Sequence, residues 1–297
     1  MPSSQTPSSI WTKSTSALLN LRWLVWASLV SQVVIVVTGG LVRLTGSGLG
    51  CPTWPKCTSQ SLVTVPEQGL HGVIEFGNRL LTFVLLVVAA LTLLAAWRFG
   101  RQLLRLAVAL LLGIVVQAGL GGITVLIKLN PWIVGAHFVV SAVLIAIASV
   151  LVWRYQEPKA SVVTPFVRGL TPITSVAGSV AILVGVLVTG AGPHAGDSAA
   201  LRNGLDLEIW QHYHSYPGYL LLVLLATTSW MQWRTREISS VAGRITLATL
   251  LVCVAQAGIG VAQSRLGVPA GLVGFHLLLA AILCSLITFN HLSNRSL

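Results

Sequence analysis

Apolar positions dominate the chain in eight long runs, each separated from the next by a short polar stretch. They cover roughly 21–41, 73–97, 103–127, 132–153, 173–190, 213–233, 245–261 and 271–289. About 20 apolar residues carry a helix across roughly 30 Å of hydrocarbon. Each run is therefore predicted to be a transmembrane helix, with the fifth and seventh short. Uninterrupted runs of this length exclude a barrel, so the expected fold is an all-α integral membrane protein.

Composition agrees with that solvent. Of 297 residues, 55% are hydrophobic and only 8% charged, with a mean hydropathy of +0.85. A soluble domain carries about 25% charge. The net charge of +11 comes from bases scattered singly between apolar runs, without a basic stripe or interleaved aromatics. Nucleic acid is excluded as a partner on that pattern.

The bases also predict orientation. Lys13, Arg22, Arg98, Arg101, Arg105, Arg154, Lys159, Arg168, Arg234, Arg236, Arg244 and Arg295, twelve of the eighteen, fall on the side of the two termini. The positive-inside rule puts both termini in the cytoplasm, for a multi-pass protein of the cell membrane. Residues 1–20, rich in Ser and Thr, are expected to be a cytoplasmic tail, and the first span an uncleaved signal.

The chain repeats itself. Gln117-Ala-Gly-Leu-Gly in the third run returns as Gln256-Ala-Gly-Ile-Gly in the seventh, and a His follows each Gln by twenty residues, at His137 and His276. Thr38-Gly-Gly ends the first run and Thr189-Gly-Ala-Gly the fifth, while Asn78–Phe83 can be laid on His214–Tyr219. Four spans return a chain to its starting side. The repeat thus predicts two pseudo-symmetric four-helix bundles, 21–155 and 173–290, joined by a cytoplasmic linker at 156–172 and followed by a tail at 291–297. Such bundles build cofactor sites from side chains on facing helices.

His137, His214 and His276 each stand within a turn or two of the external start of an even-numbered span. Ionisable groups inside a membrane are costly and mark function. Neutral imidazoles on two facing helices can supply both axial ligands of a heme iron. Hydrogen bonding across helices without a cofactor is the alternative. His214 and His276 form a complete pair. In the first half His137 is the counterpart of His276, but Asn78, a poor iron ligand, takes the place of His214. His71, Glu75 and Asn78 share one helical face. Glu75 beside Arg79 is either a plain ion pair or a carboxylate serving a reactive site. His71 is either interfacial or a substitute for the missing ligand. His194, His212 and His291 are expected in solvent.

Cys51 and Cys57 lie in the first external loop, where a disulfide is plausible, structural or redox-active. Cys253 and Cys284 read as small apolar residues.

The run from Thr38 to Cys57, with its Leu-Val-Arg-Leu-Thr-Gly-Ser-Gly-Leu-Gly-Cys51-Pro-Thr-Trp-Pro-Lys-Cys57, closely resembles the first external segment of heme A synthases. So do Glu75-Phe-Gly-Asn-Arg79, the Gln-Ala-Gly repeats and the His of spans four, six and eight. The resemblance covers nearly the whole chain. It implies oxidation of the C8 methyl of heme O to a formyl group by successive hydroxylations, giving heme A for cytochrome oxidase. It implies that His214 and His276 ligate a resident heme b, that His137 faces the substrate heme, that Glu75 is the acid of the reactive site and that Cys51 and Cys57 are the external pair. A farnesyltransferase that makes heme O is the implied upstream partner, and an electron acceptor is required. The departure is Asn78, where many members have His. The other readings are a b-type cytochrome passing electrons from quinol, or a heme transporter.

Overall fold

In a computed structural model, which describes residues 20–295, the chain folds into eight long helices and no strand among those residues. They are α1 (Leu21–Leu44), α2 (Gly69–Ala96), α3 (Arg101–Leu126), α4 (Pro131–Gln156), α5 (Pro165–Ala191), α6 (Leu207–Arg234), α7 (Val241–Arg265) and α8 (Ala270–Arg295). The N-terminal tail predicted at 1–20 lies, but for its last residue, outside the described residues.

Local chemistry sets the helix starts. Asn20, Asn130, Thr164, Asp206 and Ser240 each accept a hydrogen bond from a first-turn amide, and Pro131 and Pro165 follow two of these caps directly. These caps correct the two spans expected to be short. α5 begins at the Thr164–Pro165 cap and runs through Pro172, eight residues before the apolar run at 173. α7 begins after Ser240 and continues past Gln263 to Arg265. Polar residues at both ends hid these turns from a hydropathy count. The expected linker at 156–172 accordingly shrinks to the residues between Gln156 and Pro165, and α8 extends through the expected tail to Arg295.

Seven of the helices are long and apolar enough to cross a membrane; α6 falls short, with polar residues in its first turns and again at Tyr216, Thr227, Thr228, Ser229 and Gln232. The outer surface has the character of a lipid-facing one. Phe83, Val87, Leu112, Val176, Val223 and Leu251 are all exposed. An aqueous protein does not display apolar side chains on this scale, and the chain is a multi-pass membrane protein.

Packing divides the helices into two rings of four. α1, α2, α3 and α4 each touch their ring neighbours, and α5, α6, α7 and α8 do the same. The diagonal helices do not meet: no Cα of α2 lies within 8 Å of α4, and none of α6 within 8 Å of α8. Each ring therefore has an interior spanned only by side chains. The rings join through α4 against α8, α1 against α8, and α4 against α5. At this seam a Cβ on Gly40 would collide with Leu277. Arg43, at the end of α1, donates from Nη2 to the Thr189 carbonyl at 2.5 Å and from Nε to the His194 carbonyl. A cation at the last turn of α5 is favoured by its dipole, and the contact stitches the rings together.

Candidate functional site

In the second ring the interior is bridged by His214 and His276. Their ring centroids are 6.1 Å apart and the planes are inclined by 73°. His214 is the eighth residue of α6 and His276 the seventh of α8, so the two reach the diagonal gap at the same depth. Glycines on the preceding helices make room for the rings. A Cβ on Gly185 would lie 2.8 Å from His214 Cε1, and one on Gly260 would lie 3.2 Å from His276 Cε1. Nδ1 of both rings is buried without a hydrogen bond of normal geometry. The backbone carbonyls of Ala181 and Gln256 come close to His214 and His276 respectively.

This arrangement fits the expected heme. A metal–imidazole bond of about 2 Å puts the centres of two trans imidazoles roughly 6 Å apart. Two imidazoles held opposite each other on diagonal helices whose Cα atoms stay more than 8 Å apart, each with a buried Nδ1 that lacks a hydrogen bond of normal geometry, match that requirement. Hydrogen bonding across helices, the alternative, goes no further than the approach of the Ala181 and Gln256 carbonyls, which leaves both Nδ1 atoms without a bond of normal geometry.

The first ring keeps one half of the arrangement. His137 is the seventh residue of α4, its Nδ1 is buried and unpartnered, and a Cβ on Gly121 would lie 3.4 Å from its Cε1. Gly121 and Gly260 are the last residues of the two Gln-Ala-Gly-x-Gly motifs, so the repeat read in the sequence is a repeated His seat. Gln117 Nε2 donates to the His137 carbonyl at 3.0 Å and also to Ser141 Oγ. On the diagonal helix Asn78 has its Oδ1 2.8 Å from the Thr38 hydroxyl, and a Cβ on Gly39 would lie 4.0 Å from its Nδ2. The amide is thus tied to α1.

Next to Asn78 the loop between α1 and α2 is clamped onto α2. Cys51 and Cys57 form a disulfide. Glu75 is buried; its Oε2 accepts from the Cys51 amide at 2.6 Å, and its Oε1 accepts from Arg79 Nη2 at 2.5 Å. Arg79 also donates to the carbonyls of Cys51, Thr53 and Lys56 at 2.8, 3.0 and 3.2 Å. Glu75 and Arg79 form the one ion pair among the described residues. The loop lays Trp54 on α3, where a Cβ on Gly122 would come within 2.5 Å of the indole. Gly121, which seats His137, is the adjacent residue. Disulfide loop, Glu75, Arg79 and His137 thus belong to one region.

His71 is exposed, with Nδ1 2.9 Å from Ser47 Oγ on the loop between α1 and α2. His291 and His194, expected in solvent, are instead partly buried, against Ser175 and the Val268 carbonyl. Cys253 and Cys284 are buried free thiols. Trp54, Thr38 and the seating glycines were not singled out as site residues by sequence. For Trp54 the signal was present: a large aromatic inside a seven-residue ring needs something to pack on.

The profile of the COX15-CtaA family, described as a cytochrome oxidase assembly protein, matches residues 22–288. The heme A synthase of Listeria welshimeri is 26% identical over 288 residues, covering 89% of this chain and 93% of that one. The heme A synthase of Alkalihalophilus pseudofirmus is 26% identical over 283 residues, covering 88% and 92%. That of Geobacillus kaustophilus is 31% identical over 121 residues, or 39% of this chain.

Proposed function

Because the chain belongs to the COX15-CtaA family of cytochrome oxidase assembly proteins, we propose that it is a heme A synthase, an oxidoreductase that converts heme O to heme A. The inequality of its two rings carries the assignment of roles. An electron carrier needs matched hemes, whereas here one ring keeps both His and the other pairs His137 with Asn78 beneath a buried carboxylate.

The helix rings support two pseudo-symmetric halves, 21–155 and 173–290, with α1 corresponding to α5 and α4 to α8. His214 and His276 hold a resident heme b, which when bound supplies a one-electron relay. The first half takes heme O. His137 would hold the substrate iron through an imidazole nitrogen, and Asn78, whose amide is tied to Thr38, would offer it no second nitrogen of that kind. Glu75 receives protons as the methyl is oxidised, and Arg79 with the Cys51 amide fixes its position. Conversion of the methyl to a formyl group, R–CH3 + H2O → R–CHO + 4H+ + 4e−, proceeds through two hydroxylations and loss of water from the hydrated aldehyde. A separate electron acceptor takes the four electrons, and a heme O synthase supplies the substrate. The basic residues on the side of the termini support cytoplasmic termini, which puts both His sites toward the external face.

The test is expression in cells that make heme O but no heme A, followed by chromatography of the extracted hemes. Heme A is expected. Unchanged heme O with heme b bound to the protein would favour a b-type cytochrome.

Two variants probe the geometry. Asn78→His should supply that second nitrogen, giving a six-coordinate low-spin heme in the first half and much reduced conversion. An absorption spectrum unchanged from wild type would contradict the assignment of Asn78. Gly260→Val adds methyl groups beyond a Cβ already 3.2 Å from His276. It should displace the imidazole and lower heme b occupancy, as overpacking costs about 1–3 kcal/mol. Gly258→Ala, which meets nothing within 4 Å, should retain heme b as wild type does.

A further inference from the structure

On the face that carries both termini, far from the His sites, a cleft of about 510 Å³ opens between the start of α1, the start of α3 and the end of α4. Arg22 and Arg154 line it together with Phe99, Leu103, Tyr155 and Glu157. Its aromatic wall is the edge-to-face pair of Phe99 and Tyr155, with centroids 6.1 Å apart. The mechanism above uses none of these residues.

Three observations point to the same ligand. First, among the described residues neither guanidinium has a carboxylate within 4 Å, even though Glu157 lines the same cleft. Arg22 lies over the Trp23 ring at 5.9 Å, and no side-chain hydrogen bond engages Arg154. Two cations sharing one concavity, neither of them paired with the one carboxylate that lines it, favour a ligand that brings further negative charge. Second, the cleft sits at the depth of the lipid headgroups. Trp23 and Trp97 beside it are 68% and 74% exposed, and exposed Trp marks the membrane–water interface. Third, Arg98, Arg101 and Arg105 follow on the same side, at the turn into α3 and along its first turns. A positive-inside bias alone accounts for arginines on this face. It does not account for two of them lining one cavity with an aromatic wall, open at headgroup level.

We propose that this cleft binds the phosphodiester headgroup of an anionic phospholipid, with Arg22 and Arg154 as its cationic ligands. Basic pockets between helices on this side of a membrane hold such headgroups. The acyl chains would run along the lipid-exposed surface beside Trp23 and Trp97.

The test uses the full-length protein in mild detergent and native mass spectrometry against added phosphatidylglycerol or phosphatidylcholine. The wild type should retain phosphatidylglycerol in preference to phosphatidylcholine. Arg22→Gln with Arg154→Gln should weaken that retention by roughly 30-fold, at roughly five-fold per basic residue. The pair Arg234→Gln with Arg236→Gln, on the same face but outside the cleft, should leave it within about two-fold. Size-exclusion profiles matching wild type establish that both double variants are folded; if the cleft variant is not, the single variants replace it. Equal loss in both pairs would overturn the site and leave only a general surface charge effect. Inorganic phosphate that displaces the lipid at millimolar concentration would overturn the lipid assignment in favour of a free-phosphate site.

Discussion

His276→Ala empties the second ring of heme b while leaving the protein folded and the first ring intact. The two imidazoles meet across the diagonal at 6.1 Å; Gln232 and Asn294 bridge the same two helices only at their other ends, and the Cα atoms of the two helices stay more than 8 Å apart. No neighbouring group can take over the lost nitrogen: among the described residues the nearby seat is Gly260, which has no side chain to offer. Loss of a group that merely hydrogen-bonds a metal ligand weakens metal binding 10–100-fold. Loss of the ligand itself should exceed that, so heme b is expected to be absent from the purified variant. His214→Ala should behave alike. His137→Ala should keep heme b and lose conversion. The measurement is the reduced absorption spectrum and heme content of the purified proteins. Heme b retained in both His214→Ala and His276→Ala would refute the pair.

Glu75→Gln is the second large effect, and it separates chemistry from architecture. The side chain has two jobs in the structure. Oε2 receives the Cys51 amide at 2.6 Å, and Oε1 receives Arg79 at 2.5 Å. Glutamine keeps an oxygen for one of these donors and nearly the same volume, but it cannot take up a proton. If Glu75 serves only to clamp the loop, Glu75→Gln should retain most of the conversion while Glu75→Ala loses it, because removing one partner of a buried pair costs about 3–5 kcal/mol. The account here expects both to fall by about 10²–10⁴-fold, the range of a general acid–base contribution, with heme b retained in each. Single-turnover conversion of bound heme O in the purified variants distinguishes the two roles.

Much of this was legible in the sequence because the membrane simplifies it. Apolar runs became helices since lipid leaves the backbone no other partner. The Gln-to-His spacing of twenty became a contact, Gln117 Nε2 to the His137 carbonyl, because a short loop returns α4 against α3. The Gly that ends each motif was readable as a repeat but not as a seat; its meaning depends on the facing His. Other features were hidden for a physical reason. The ends of α5 and α7 are set by Thr164 and Ser240 caps, which hydropathy does not register. The partner of Glu75 that sequence could suggest was Arg79, four residues along the same helix. Its other partner is a backbone amide 24 residues away, and a main-chain group leaves no mark in composition. His71 shares a helical face with Glu75, yet the loop folds over it and engages it through Ser47.

The division of labour between the rings is tested most directly by the coordination state of the two hemes in the purified protein loaded with heme O, read by electron paramagnetic resonance of the ferric form. One low-spin bis-imidazole heme is expected, from His214 and His276, together with one heme lacking a second imidazole, in the ring of His137 and Asn78. Two low-spin bis-imidazole hemes, or a low-spin heme that survives loss of both His214 and His276, would contradict it.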